Sequence, residues 1–120
     1  MTLPLTPEML ASAYDFLAIT PPFDGWNLPP SDEVVFKVSR SRRWFARYRW
    51  DGARHTIEVS ANSVAYSDTL IVKMSHEMVH LHLEELGMDG RGGSNTHSGA
   101  FRQLAEEVCK VHGFDPKAFY

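Results

Sequence analysis

The stretch "MSHEMVHLHL", residues 74–83, holds three of the chain's six histidines. Two of them bracket a glutamate in the order H-E-x-x-H: His76, Glu77 and His80. On a helix His76 and His80 lie about 40° apart around the axis, so one ion can touch both rings. Glu77 lies about 100° from His76 and about 60° from His80, where it can reach a water on that ion without being a ligand. Two neutral imidazoles holding a divalent cation, beside a carboxylate that takes a proton from its water, are the parts of a metal hydrolase. His82 points about 200° away from His80 and reads as a partly buried, hydrogen-bonded residue.

The same spacing also occurs in helices that bind nothing, so a third ligand matters. Catalytic zinc usually takes three protein ligands and leaves one position for water. The compact arrangement with Gly three and His six residues after the second histidine is absent, because Leu83 and Leu86 occupy those places. Glu106 and Glu107 are available on a later helix. That helix, however, is expected to pack through Phe101, Leu104, Ala105, Val108 and Val111, and both glutamates fall mostly off the stripe. His97 falls on it, four residues before Phe101 in "THSGAF", and is aimed at the core. His97 is therefore the expected third ligand. His55 reads as a hairpin residue and His112 as a cation near a helix C-terminus. Tyr66, Tyr48 and Lys73 are the candidates for stabilising an oxyanion.

These side chains need elements to hold them. Ser67 and Asp68 can each cap a helix that runs to Gly87. Leu70, Ile71, Val72, Met74, Met78, Val79, Leu81, Leu83 and Leu86 spread over most of its circumference, as in a core helix. Its one polar sector, with Lys73, Glu77, His80 and Glu84, then lines a cleft. "GMDGRGGSN" follows as a flexible loop that lets the chain return. A last helix is expected from about Ser98 to His112, ending at Gly113. Upstream, Thr6-Pro7-Glu8 starts a helix carrying Met9, Leu10, Ala13, Phe16 and Leu17 at helical spacing. The Pro-rich "TPPFDGWNLPP" is a connector with Phe23 and Trp26 tucked against the core.

"EVVFKV" reads as a strand. "RRWFARYRW" and "RHTIEVS" read as a hairpin about the two-residue turn Asp51-Gly52. That turn sets Trp50 opposite Ala53, Tyr48 opposite His55, Ala46 opposite Ile57 and Trp44 opposite Val59. Arg43, Arg47 and Arg49 then share the outer face, with Glu58 opposite Phe45 and Arg49 opposite Arg54. The fold class is α+β: a small antiparallel or mixed sheet packed against a central metal-binding helix, with an N-terminal and a C-terminal helix.

Length and composition agree with this plan. The 120 residues suit a single domain over 1–120, and 43% hydrophobic with 22% charged residues is ordinary for a soluble globular chain. Cys109 is the one cysteine, so no internal disulfide can form; it reads as a small core residue and fits a reducing compartment. No window is long and apolar enough to cross a membrane, and the N-terminal stretch carries no secretory pattern. The expected location is the cytoplasm. Net charge is −3, unevenly spread: residues 37–54 carry seven basic groups against Asp51, a net +6, and the remaining five basic and fourteen acidic groups give −9. The arginine face is either a solvated sheet surface or an electrostatic footprint for nucleic acid.

Taken together, the chain resembles the SprT-like metalloprotease domain, the family that includes the Spartan repair proteases. The elements follow in order from Thr6 to about Phe114: the first helix, "EVVFKVS", the hairpin ending "HTIEVS", "LIVKMSHEMVHLHL" and "HSGAF". The family's motif, H-E-x-x-H followed downstream by H-G-x-x-F, maps onto His76, Glu77, His80, His97 and Phe101; the glycine, Gly99, stands two positions after the histidine here, and the His-to-Phe distance is kept. The resemblance implies one zinc ion on the three histidines, Glu77 as general base, and a protein or peptide substrate, with Arg43, Arg47 and Arg49 as candidate nucleic-acid contacts. The rival expectation is a non-enzymatic module in which the zinc is structural.

Overall fold

The computed structural model describes residues 4–62, 67–89 and 97–120. Among the described residues, four α-helices, two short 3-10 helices and a three-stranded sheet are found. The first helix, α1 (Pro7–Ala18), begins as its sequence requires: Pro7 takes the first turn and the Thr6 hydroxyl accepts the Met9 N–H at 3.2 Å. Its buried stripe is Leu10, Ala13, Tyr14 and Leu17. The expected Phe16 instead faces solvent. Tyr14 can take the inner position because its hydroxyl donates to the Pro29 carbonyl at 2.6 Å, which satisfies its polar end.

Strands β1 (Val34–Ser39), β2 (Ala46–Trp50) and β3 (His55–Ser60) form a mixed sheet in the order β1-β3-β2. β3 is central, parallel to β1 and antiparallel to β2. The hairpin register differs from the expected one by two residues: Trp50 pairs with His55, Tyr48 with Ile57 and Ala46 with Val59. The cause is local. The Asp51 carboxylate accepts the N–H groups of both Ala53 and Arg54 at 2.8 Å, and Gly52 takes φ +93°. Residues 51–54 thereby form a four-residue loop in place of a two-residue turn. An even shift keeps every side chain on its expected face. It also removes the unfavourable pair, because Arg49 now lies opposite Thr56 and Arg47 opposite Glu58. β2 is shorter than expected, so Arg43, Trp44 and Phe45 precede the strand.

Helix α2 (Ser67–Glu85) is the centre of the molecule and touches α1, both β2 and β3, and the two helices that follow. Residues 74–81 are buried without a break. It ends where Gly87, at φ +69°, donates to the Glu84 carbonyl at 2.9 Å. Next comes α3 (Gly99–His112), capped by the Ser98 hydroxyl on the Phe101 N–H and closed by Gly113 at φ +76°. It packs through Phe101, Ala105, Val108 and Cys109; Val111, expected inside, is exposed. A short α4 (Pro116–Phe119), capped by Asp115, folds Phe119 back into the core. None of the described helices is long and apolar enough to cross a membrane.

Candidate metal centre and its cleft

α2 carries His76, Glu77 and His80 to the floor of a cleft of about 480 Å³, and the start of α3 brings His97 to the same place. One ligand atom from each of the three histidines lies within 4.8 Å of the others. The Nδ1 atoms of His76 and His80 have partners of their own. His76 Nδ1 donates to the Phe119 carbonyl at 2.9 Å, and His80 Nδ1 donates to Asp89 Oδ1 at 3.0 Å. Those bonds fix the tautomers, leaving the Nε2 lone pairs of His76 and His80 free. His76 Nε2 lies 3.2 Å from His97 Nε2. Tetrahedral zinc with Zn–N bonds of about 2.0–2.1 Å sets neighbouring nitrogens roughly 3.4 Å apart, so the donor set fits one such ion.

Charge in the cleft is arranged accordingly. Burial, then the neighbouring His80 and His97, pushes the His76 imidazolium down to about 3, while the Phe119 carbonyl opposes this. His97 is also lowered, first by burial and then by His80. These two rings are therefore neutral at physiological pH, the state in which imidazole ligates a metal. Glu77, only 4% exposed, has its carboxyl raised to about 8 by burial, with Lys73 pulling the other way. Its Oε2 is 3.8 Å from His76 Nε2, and it stands outside the three-imidazole group.

The cleft walls come from β2 and the segment before it: Trp44, Phe45, Arg47 and Tyr48. Trp44, expected on the inner sheet face opposite Val59, lines this wall because the strand has not yet begun there. Of the oxyanion candidates, Tyr66 lies outside the described residues. Tyr48 stacks parallel to His80 at 6.3 Å, but its hydroxyl is tied to His55 Nδ1 at 2.6 Å. Lys73 donates to the Ala118 carbonyl at 2.9 Å and lies 4.7 Å above the Phe45 ring. His82 stacks on Trp26 at 4.5 Å, away from the cleft. Glu106 and Glu107 are exposed on α3 and do not enter the cleft.

The arginines are less free than their number suggests. Arg47 holds Glu58 Oε1 at 3.0 Å and lies over the Trp44 ring at 4.6 Å; Arg49 reaches the same oxygen at 3.7 Å. One carboxylate thus offsets part of that charge. Arg43 is exposed in the bend before β2.

Three residues escaped the sequence reading. Asp89, nine residues beyond His80, looked like one more loop residue, and its acid side chain among glycines was the available signal. Phe119 orients His76 through a backbone carbonyl, which no side-chain pattern reveals. Tyr120 lines the cleft beside His97, and the aromatic pair closing "PKAFY" was its only trace.

The model of the SprT-like family matches residues 22–118. No curated protein matches the chain.

Proposed function

Because the chain belongs to the SprT-like family, we propose that it is a zinc-dependent metalloendopeptidase, a single domain over 1–120 that binds one zinc ion per chain through His76, His80 and His97. A zinc ion held there would polarise a scissile carbonyl and lower the pKa of water to about 7. The observation that carries the reading is Glu77: a buried carboxylate beside three converging imidazoles and excluded from them. A closed structural site needs four protein ligands and no base, whereas three ligands with a carboxylate alongside suit a hydrolytic one.

In this reading Glu77 takes the proton of the attacking water and delivers it to the leaving amine. Asp89 and the Phe119 carbonyl hold the His80 and His76 rings in their ligating tautomers. Lys73, beside Glu77, favours the carboxylate over the carboxylic acid. The substrate is a polypeptide lying between the Trp44–Tyr48 wall and His97. The buried Cys109 thiol agrees with a cytoplasmic location.

The test is hydrolysis of an unfolded protein by the zinc-loaded chain, lost with chelator and restored by zinc. Absence of hydrolysis over broad substrates, with and without DNA, would favour the non-enzymatic zinc module.

A further inference from the structure

A second hollow, about 840 Å³, lies against α3 and α4, with Ala105, Cys109, Phe114 and Pro116 as its apolar lining. It borders the cleft: His97 and Tyr120 line both. The two spaces are neighbours beside His97, just before α3. Arg102 lines the second hollow together with His97 and Tyr120, and its charge acts on both. Lys110 and Glu106 complete the rim, which leaves it one positive charge in excess. Among the described residues, neither Arg102 nor Lys110 is held in an ion pair. Burial raises the Cys109 thiol, so it stays neutral and behaves as apolar surface.

Resting on the hydrolytic reading, we propose that this hollow is the subsite that selects the substrate, taking a bulky apolar side chain of the bound polypeptide while an adjacent acidic side chain meets Arg102. Its volume falls within the roughly 300–1,000 Å³ range of ligand pockets, and such sites combine an apolar body with a few orienting polar groups. Because Tyr120 and His97 border both spaces, a chain lying in the cleft is the natural occupant. The Arg102 guanidinium, in no ion pair among the described residues, gives the sign of its neighbour.

Equilibrium binding to the full chain carrying Glu77→Gln tests this without hydrolysis. The probes are fluorescein-labelled Ala-Ala-Asp-Phe-Ala-Ala and its Phe-to-Ser and Asp-to-Lys versions, read by fluorescence anisotropy. Loss of the aromatic ring should weaken binding at least about tenfold, as burying such a side chain implies. The lysine peptide should bind about two- to fivefold more weakly than the aspartate one, the scale of an exposed ion pair. Adding Arg102→Glu should reverse that last order. Equal affinities, no measurable binding, or an unchanged order in the Arg102→Glu chain would overturn the proposal. The two readings fail separately: selective binding by a chain whose zinc-loaded parent hydrolyses nothing unseats the hydrolase alone. Hydrolysis accompanied by unselective binding unseats the subsite alone.

Discussion

Replacing Glu77 by glutamine should stabilise the metal-free protein, by an amount that depends on pH. Burial raises the Glu77 carboxyl from its ordinary value of 4.5 to about 8. A group whose folded pKa lies above its unfolded value contributes stability that is fully present below the unfolded value and is lost as pH rises through the folded one. At pH 7 the loss spans roughly 2.5 pH units at about 1.36 kcal/mol each, or about 3 kcal/mol. Glutamine has the same shape and no charge to bury. The difference between variant and parent should therefore grow from pH 4.5 to about 8 and then level off. Near pH 7 it should raise Tm by roughly 10 °C for a domain of this size. His76, held down to about 3, makes the metal-free protein lose stability as pH falls below its ordinary 6.5. That contribution is common to both proteins and cancels in their difference. The assay is thermal unfolding followed by circular dichroism after chelation, from pH 4.5 to 8.5. Added zinc should narrow the gap, because a nearby cation favours the carboxylate. A pH-independent difference, or a glutamine variant less stable at pH 7, would refute the reasoning.

Asp89→Ala removes the acceptor that orients His80 and should weaken zinc binding about 10- to 100-fold, measured by chelator competition; unchanged affinity would show that Asp89 does not orient the ligand. His97→Ala should lower zinc affinity further, because it deletes the proposed third ligand; if affinity is retained, Glu106 or Glu107 becomes the next candidate. Arg47→Ala combined with Arg49→Ala should flatten the salt dependence of any nucleic-acid binding by about two phosphate contacts' worth while leaving zinc content intact. No affinity for DNA or RNA even at low salt would reduce the arginine face to solvated sheet.

The parts of this molecule that were legible in the sequence are those governed by local geometry. His76, Glu77 and His80 share one helix, so their relative positions follow from its pitch. His97 lies just before α3, and extending that helix's stripe backwards points it inward, beside His76. Thr6, Ser98 and Gly113 mark helix ends through short-range hydrogen bonds. Where longer-range contacts decide, the sequence reading went astray. The hairpin register turned on where one Asp51 carboxylate spent its lone pairs, and Asp51-Gly52 fits either loop length. Phe16 and Val111 have the right spacing for burial but point past the edges of the packed faces, and Tyr14 displaces Phe16 only because Pro29 offers its hydroxyl a partner. Asp89 and Phe119 reach the histidines through tertiary contacts, the Phe119 one spanning 43 residues of chain.

In the proposed mechanism Glu77 acts on water while the three histidines hold the metal. Zinc content and hydrolysis of an unfolded protein, measured side by side on the parent chain and on Glu77→Gln, test it most directly. About one zinc per chain is expected in both proteins, with hydrolysis in the parent alone. A Glu77→Gln chain that keeps its zinc and cleaves at the parent's rate would contradict it.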